Sequence, residues 1–348
     1  MDETAVREFL SCPACRRDCL TPVAFTRDTE GMVDGVLACE GCRAWYRVED
    51  RVPELLLPPL ANEERRRAFL ERFRGKWDGW EAASTGVDGP ATGLPAAGGV
   101  ELKLEQSRFF REHAAGYDRG MTDSPFWTAV DDRFLETVAA ECPRGGILVE
   151  AGAGTGRRTA ELASRFSEVF AFDLSEEMTR EALRKRSGHG PGRVHRFVAD
   201  AERVPLRSGL ADCWAFRGVL AYLASPDKAV AEAVRVLRGG GVLLGYENNR
   251  SAFRPAFDLI AHVFPGWREK SLPGRAMVRR ADLEGWLSAA GVSGETWTRV
   301  FLPPQLFNLA GVGAASRLMW YSDANLAYVP WLGRQGGLLF FAGRKAAN

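Results

Sequence analysis

The chain has 348 residues, with 46 lysines and arginines against 45 aspartates and glutamates and a formal net charge of +1. This balance argues against nucleic-acid binding through a basic surface, and the 46% hydrophobic content is enough for one large core beside a small domain. No apolar run approaches the about 18 residues needed to cross a bilayer, so we expect no membrane insertion and, with no signal peptide recognised, a cytoplasmic location.

Two C-x-x-C pairs lie near the start of the sequence, Cys12 with Cys15 and Cys39 with Cys42. Each pair lets two sulfur atoms converge from one tight turn, and two such turns are typical of a four-thiolate zinc site. A closed tetrahedral site leaves no position for a substrate, so we predict a structural zinc ion. Disulfide pairing is the alternative, which the expected cytoplasmic location disfavours.

The remaining cysteines are scattered along the chain. Cys19 is interpreted as a free thiol, and Cys142 and Cys213 as small apolar residues of the core. The segments FLSCPACRRD and LACEGCRAWYRVEDRVPELL resemble the zinc-ribbon domain of the small activator protein of tRNA and protein methyltransferases. The resemblance implies that residues 1–60 form a zinc ribbon, with 48–57 as its closing hairpin and exit.

Residues 61–100 are predicted to connect two domains. Residues 62–80 read as a basic helix, whose arginines would suit phosphate, although a solvated helix face is the commoner explanation of such a pattern. Residues 82–99 are rich in Gly, Ala, Pro and Thr, which is typical of a linker.

The stretch 147–159, ILVEAGAGTGRRT, predicts a buried strand that runs into a glycine-rich turn and then a helix. Gly152, Gly154 and Gly156 give the backbone the freedom that lets a ligand approach it, and the start of the following helix leaves N–H groups unpaired. Arg157 stands where the dinucleotide fingerprint G-x-G-x-x-G requires a glycine, which weakens an NAD or FAD interpretation.

Apolar strands then alternate with helical patterns. Strands are predicted at 169–173, 194–198, 211–216 and 242–245, and an amphipathic helix at 226–237. Asp173 ends the second strand, where a carboxylate accepts hydrogen bonds from ribose hydroxyls, and Asp200 with Ala201 follows the third. The alternation predicts an α/β fold with a doubly wound parallel sheet and a ligand site outside the carboxyl ends of its strands.

The segments VEAGAGTG, FAFDLSEEM, VADAERVPL and AVAEAVRVLRGGGVLL resemble the successive motifs of the class I S-adenosylmethionine-dependent methyltransferases, most closely the ubiquinone and menaquinone C-methyltransferase branch. The similarity covers roughly residues 109–291. It implies an enzyme that uses S-adenosylmethionine, with a Rossmann-like sheet whose terminal strand is antiparallel. Residues 101–348 would form this domain.

In that family the glycine turn holds the methionine part of the cofactor, the acid after the second strand holds the ribose, and the acid after the third meets the adenine amino group. Tyr117 with Asp118 resembles the "YD" element that closes over the cofactor, with an ordinary surface Tyr-Asp pair as the alternative. Arg217 stands where a small or polar residue is more usual. The implied cofactor-binding residues are Tyr117, Glu150, Gly152, Ala153, Gly154, Gly156, Asp173, Leu174, Met178, Asp200, Ala201 and Arg217.

Two segments are interpreted as insertions, 248–280 before a helix at 281–290 and 302–332 before the terminal strand at 337–345. Both are rich in large residues that would line a pocket for an aromatic, polyketide-like or prenyl acceptor, while a helical cap or a dimer interface is the alternative. These residues are Phe253, Phe257, Phe264, Trp267, Phe307, Trp320, Tyr321, Tyr328 and Trp331.

Methyl transfer proceeds by in-line attack of an O, N or C nucleophile, so alignment supplies much of the catalysis and no particular base is required. If the acceptor must lose a proton, the candidate bases are Tyr222, Glu247, His113 and His262.

The leading hypothesis is a methyltransferase for a small aromatic or apolar metabolite of biosynthesis or tailoring. An rRNA or tRNA base methyltransferase and a non-catalytic zinc-ribbon scaffold are the alternatives, and homodimer formation stays open.

Overall fold

The computed structural model describes residues 3–78, 97–122, 124–185, 192–252 and 276–347. Two sheets organise these residues, an antiparallel sheet of four strands near the N-terminus and a mixed sheet of seven strands. This agrees with the predicted α/β fold with a small N-terminal ribbon.

The small sheet pairs its strands in chain order, β1 (Leu20–Asp28), β2 (Gly31–Cys39), β3 (Trp45–Glu49) and β4 (Val52–Pro53). Helix α1 (Glu3–Phe9) precedes it. All three pairings are antiparallel, so short turns suffice to connect the strands. The two C-x-x-C turns flank β1 and β2 and therefore meet at one end of this sheet.

Helix α2 (Glu63–Arg72) is shorter than the predicted basic helix at 62–80. The side chain of Asn62 caps its start by accepting a hydrogen bond from the Arg65 N–H at 3.1 Å. Phe69 and Phe73 lie one turn apart and are buried against Trp45 of β3. The helix is therefore held on the small sheet by its apolar side. Arg67 and Arg72 are exposed, whereas Arg66 lies over the ring of Trp45 and Arg65 pairs with Glu176. The predicted linker at 82–99 lies outside the described residues except for its last three, which begin the helix Ala97–Thr122 (α3).

The large sheet has the strand order β10-β11-β9-β8-β5-β6-β7. β11 is antiparallel to both of its neighbours, and the other pairings are parallel. The predicted doubly wound sheet with an antiparallel terminal strand is thus confirmed. The strands are β5 (Ile147–Ala151), β6 (Glu168–Asp173), β7 (Arg193–Val198), β8 (Ala211–Arg217), β9 (Leu237–Asn248), β10 (Val292–Arg299) and β11 (Leu338–Lys345).

Helices cover both faces of this sheet, which explains its nearly continuous apolar strands. Leu148 belongs to the core on the α4 side, and the next residue, Val149, to the core that includes α7 and the ribbon. No helix in the described part of the chain is long and apolar enough to cross a membrane. The helices are α3 (Ala97–Thr122), α4 (Pro125–Glu141), α5 (Thr159–Ala163), α6 (Glu176–Arg184), α7 (Pro226–Val236), α8 (Arg280–Ala289), α9 (Pro304–Ala310) and α10 (Val312–Leu326), with 3₁₀ turns at Leu220–Tyr222 and Leu332–Arg334.

The ribbon docks on the edge of the large sheet at β7. The Leu55 N–H donates to the Val198 carbonyl at 2.8 Å, and Ser11 N–H donates to the Pro205 carbonyl at 3.1 Å. The rings of Phe9 and Phe170 meet edge to face with centroids 5.1 Å apart. The ribbon therefore covers an otherwise open strand edge and shares one apolar core with the sheet.

Cys142 and Cys213 are joined by a disulfide, so their interpretation as unpaired core residues was wrong. The bond links the residue after α4 to strand β8, and both cysteines are buried. The two positions are 71 residues apart, and only the packing of α4 on the sheet brings them together. No spacing pattern in the sequence signals such a pair.

Candidate functional site

A cavity of about 660 Å³ lies at the carboxyl ends of β5, β6, β7 and β8, beneath helix α3. Of the twelve predicted cofactor-binding residues, nine line it: Tyr117, Gly152, Gly154, Asp173, Leu174, Met178, Asp200, Ala201 and Arg217. Glu150, Ala153 and Gly156 are not among its described lining residues. The strand ends thus gather the predicted residues around one space, as expected for a doubly wound sheet.

The glycine turn requires a left-handed backbone. Gly152, Gly154 and Gly156 have φ values of 63°, 57° and 67°. A Cβ added to Gly152 would clash with the side chain of Val219, whereas a Cβ on Gly154 would have no neighbour within 4 Å. The space in front of Gly154 is therefore open to a ligand, which a larger residue would obstruct.

Asp173 ends β6 with its carboxylate held by the backbone. One oxygen accepts a hydrogen bond from the Gly154 N–H and the other from the Ser175 N–H, both at 2.9 Å. Burial raises the pKa of Asp173, although these N–H groups act against the rise. A carboxylate has about four acceptor positions, so this one can still accept from a diol in the cavity.

Asp200 is paired with a lysine that the sequence reasoning missed. Lys103 of α3 is 2% exposed, and its Nζ lies 2.7 Å from Asp200 Oδ2 and 2.8 Å from Glu202 Oε2. A lysine in a helix is usually exposed to solvent, so the residue type alone did not predict that Lys103 would be buried against Asp200. The pairing anchors α3 over the end of the cavity that Asp200 and Ala201 line.

Arg217 lies at the end of β8 in a buried cluster of charges. Its guanidinium pairs with Glu150, and its Nη1 is 3.5 Å from Asp131 Oδ1. Burial works against its charge, but the two carboxylates outweigh this and raise the pKa of Arg217. Glu150 also accepts from Thr159 Oγ1 at 2.7 Å. Glu150 thus supports the glycine turn from behind, and Arg217 is the member of the pair that reaches the cavity.

Two of the candidate bases line the cavity, His113 and Tyr222. The His113 ring stacks on Phe109 with centroids 4.1 Å apart, and its Nδ1 is 2.8 Å from the Phe109 carbonyl oxygen. Only an N–H can bond to that oxygen, so Nδ1 is assigned the proton, and Nε2 of the neutral ring is the acceptor.

The other two candidates do not have this placement. Glu247 is fully buried and is not among the described cavity-lining residues. Its oxygens accept from the backbone N–H groups of Val219, Leu220 and Ala221 at 2.8, 2.7 and 3.2 Å. Glu247 therefore stabilises the turn after β8. His262 lies outside the described residues.

Aromatic side chains line the rest of the cavity, and most of them come from elements that the sequence reasoning did not assign to it. They are Phe109, Phe110, Tyr117, Trp127, Tyr222 and Tyr246. A signal was present in α3, where Phe109, Phe110, His113 and Tyr117 recur at helical spacing.

The aromatic residues of the insertion at 302–332 lie elsewhere. Phe307 is buried in the core beside Phe126, with ring centroids 5.7 Å apart. Trp320, Tyr321, Tyr328 and Trp331 are exposed, and none of them lines the described cavity. The aromatic residues of 248–280 lie outside the described part of the chain.

The four predicted zinc ligands converge in the ribbon. The sulfur atoms of Cys12, Cys15, Cys39 and Cys42 all lie within 4.8 Å of one another. Burial raises the pKa of Cys12 to about 11 and that of Cys39 to about 12, so a metal ion would have to displace protons to bind there. Cys19 lies beside the group, with its sulfur 3.5 Å from that of Cys39.

Residues 149–245 match a family model described as a methyltransferase domain. A malonyl-[acyl-carrier protein] O-methyltransferase of Geobacter sulfurreducens is 33% identical over 132 residues, covering 36% of this chain and 49% of that protein. A demethylmenaquinone methyltransferase of Clavibacter sepedonicus is 27% identical over 205 residues, covering 53% of this chain and 81% of that protein.

A solved S-adenosylmethionine-dependent methyltransferase of Thermotoga maritima aligns with a TM-score of 0.48 at 22% identity, covering 69% of this chain and 99% of that one. The present chain spans about half the length of the Geobacter relative.

Proposed function

We propose that this chain is a class I S-adenosylmethionine-dependent methyltransferase that transfers a methyl group to a small aromatic or apolar metabolite, in keeping with the methyltransferase-domain model that residues 149–245 match. The supporting observation is one continuous cavity that joins the glycine turn and two acids to an aromatic end. Such a cavity holds a cofactor and an acceptor side by side, which in-line transfer requires. The relatives named for malonyl-[acyl-carrier protein] and for demethylmenaquinone are consistent with an acceptor from metabolism.

The residues of the cavity fit S-adenosylmethionine. Gly154 leaves room for the methionine part, and Asp173 presents acceptors for the ribose hydroxyls. Lys103 and Asp200 place a donor and an acceptor together for the edge of the adenine ring, and Leu174 and Met178 supply apolar contact for it. When bound, the cofactor supplies an electrophilic methyl group on a sulfonium sulfur.

The aromatic end would orient a planar acceptor. Phe110 and Tyr222 meet edge to face with centroids 6.0 Å apart, and Trp127 and Tyr246 line the same cavity. Burial raises the pKa of Tyr246, so its hydroxyl keeps its proton and can donate to an oxygen of the acceptor.

His113 is the residue that we propose to take a proton from the acceptor. Its Nδ1–H is bound to the Phe109 carbonyl, which orients the ring and leaves Nε2 as the acceptor. His113→Gln should lower kcat by about tenfold or more with little change in cofactor affinity. Arg108→Gln, at an exposed position of the same helix, is the control. If His113→Gln and Arg108→Gln had the same kcat at every pH, His113 would not be the base.

Calorimetry with S-adenosylmethionine and S-adenosylhomocysteine tests the proposal first. Micromolar binding is expected, followed by methylation within a mass-detected panel of phenols, quinols and prenylated acids. A folded protein without cofactor affinity would favour the scaffold alternative. Methylation of tRNA or rRNA transcripts, with none of the small molecules modified, would favour the RNA alternative.

We also propose a structural zinc ion, held by Cys12, Cys15, Cys39 and Cys42. Four thiolates that converge from two turns match the donor set of closed tetrahedral zinc sites. Metal analysis should find one zinc ion per chain, and Cys39→Ser should lose it, whereas Cys19→Ser should retain it. Zinc retained by Cys39→Ser would contradict this ligand set. In this proposal residues 1–60 are the ribbon, 61–100 the connection and 101–348 the methyltransferase domain.

A further inference from the structure

Residues Pro304–Arg334 form a surface that exposes large apolar and aromatic side chains, here called the α9–α10 face. The exposed fractions are 81% for Leu309, 58% for Trp320, 64% for Tyr321 and 85% for Tyr328. Single exposed apolar residues are normal on a protein surface, but several large ones on two helices that pack on each other, and on the segment that follows, indicate a contact site.

Helix α10 lies along the surface with two distinct sides. Ala315, Met319 and Ser322 are buried, and the helix packs on α4 by this side. Trp320 and Tyr321 lie on the opposite side and point outwards. This division is typical of a helix that rests in the plane of an interface.

The charges of the α9–α10 face have one sign. Arg317 and Arg334 are exposed, whereas Asp323 is the sole carboxylate within these residues and is 2% exposed. On neighbouring α4, Glu136 pairs with Arg133 and Asp132 with Arg158, whereas Glu284 of α8 lies close enough to Arg334 to be influenced by its charge. Outward arginines beside Trp and Tyr match the headgroup region of an anionic bilayer, where amphipathic aromatic rings are enriched.

The face adjoins the aromatic end of the cavity. Trp127 lines the cavity and meets Phe126 with ring centroids 4.9 Å apart, and Phe126 in turn contacts Phe307 of α9. Asn308 Oδ1 accepts from the Phe126 N–H at 3.1 Å and so ties α9 to the start of α4. The α9–α10 face is therefore separated from the aromatic end of the cavity only by the start of α4.

We propose that the α9–α10 face docks on an anionic lipid bilayer and that the cavity takes its apolar acceptor from that bilayer. The second clause rests on the proposed methyltransferase function, whereas the docking does not. The contact is peripheral: aromatic side chains reach the headgroup region while the two arginines meet lipid phosphates.

Flotation with vesicles of phosphatidylcholine, with and without phosphatidylglycerol, tests the docking on the full chain. The protein should float with the anionic vesicles, and added salt should weaken the binding. Trp320→Ser combined with Tyr328→Ser should lower the partition coefficient about tenfold. Arg317→Glu combined with Arg334→Glu should remove the preference for phosphatidylglycerol. Arg67→Glu combined with Arg108→Glu, at exposed positions of α2 and α3, is the matched charge control and should behave as the wild type.

Brominated lipids give a second readout, since they quench tryptophans at the bilayer surface. Trp320→Phe should keep the binding and lose part of the quenching. Absence of flotation by the folded wild type, or equal flotation of all variants, would overturn the proposal. Self-association in sedimentation that the same aromatic variants abolish, without lipid binding, would assign the face to a second copy of the chain. Calorimetry with S-adenosylhomocysteine on the same samples shows separately whether the proposed function fails.

Discussion

Asp173 connects the two motifs on which the cofactor site depends. Its carboxylate bonds to the glycine turn through Gly154 and to the start of α6 through Ser175. A single side chain therefore both shapes the turn and offers acceptors to a ligand. This double role makes Asp173 the most informative position for a substitution.

Asp173→Asn should lower the affinity for S-adenosylhomocysteine by about 100-fold, as measured by calorimetry. The amide loses the charge and one acceptor oxygen but keeps the volume of the side chain. Asp227→Asn, at an exposed position of α7, should leave the affinity unchanged. An unchanged affinity in Asp173→Asn would remove the ribose assignment.

Asp323 shows how one buried carboxylate makes stability depend on pH. Burial raises its pKa from 3.8 to about 6, and the Val300 N–H bound to it acts against this rise. The folded state thus holds the proton more tightly than the unfolded state. The contribution of Asp323 to the free energy of unfolding is most favourable below pH 3.8, and it is lost as the pH rises to about 6.

Asp323→Asn should therefore stabilise the protein at neutral pH, by roughly 1–3 kcal/mol on the scale of 1.36 kcal/mol per pKa unit. The asparagine can still accept from the Val300 N–H without carrying a charge. Urea unfolding should show this gain near neutral pH and little difference near pH 4. Glu105→Gln, exposed on α3, is the control. The same gain at both pH values would contradict the ionisation of Asp323 as its cause.

At the scale of elements, a buried ion network joins the ribbon to α6. Arg47 of β3 is 1% exposed, and its guanidinium pairs with Glu54 at 2.9 Å, with Glu49 at 2.8 Å and with Glu176. Burial works against the charge of Glu176, but Arg47 outweighs it and lowers the pKa of that carboxyl. Glu176 begins the helix that follows Asp173, so the network fixes the position of the ribbon relative to the cofactor site.

Arg47→Met should destabilise the protein by about 3–5 kcal/mol, since it leaves Glu54 and Glu176 buried without their partner. Adding Glu176→Gln should recover part of the loss, and a double-mutant cycle by urea unfolding measures the coupling. Arg67→Met on α2 is the control at an exposed arginine. Strictly additive effects would mean that the two residues do not interact.

At the scale of the whole molecule, the ribbon supports two strand ends of the cofactor site. Leu55 bonds to Val198, just before Asp200, and Leu56 shares an apolar cluster with Leu174. The ribbon therefore packs behind residues that line the region where the adenosine part of the cofactor is proposed to bind, and none of its own residues is among the described lining residues.

Removal of zinc by a chelator should weaken binding of S-adenosylhomocysteine, by about tenfold, because the ends of β6 and β7 lose the support of the ribbon. Calorimetry on the treated and the reconstituted protein measures this. Glu30→Gln, exposed in the turn between β1 and β2, should leave both the zinc content and the affinity unchanged. Full affinity in the metal-free, folded protein would show that the two sites are independent.

The sequence by itself determined the features that depend on neighbouring residues. A strand, a glycine turn and a helix adjoin in 147–159, and each C-x-x-C pair closes within one turn, so local backbone geometry is enough to predict them. The alternation of strands and helices then restricts the sheet to a doubly wound form, because parallel strands need crossover connections.

The tertiary structure alone decided which distant residues meet. It paired Cys142 with Cys213, placed Lys103 against Asp200, and turned Glu247 towards backbone N–H groups. It also set the aromatic residues of α3 in the cavity and those of α10 on the surface. Such contacts depend on how helices pack across the sheet, and a side chain's residue type does not specify which face of a fold it will occupy.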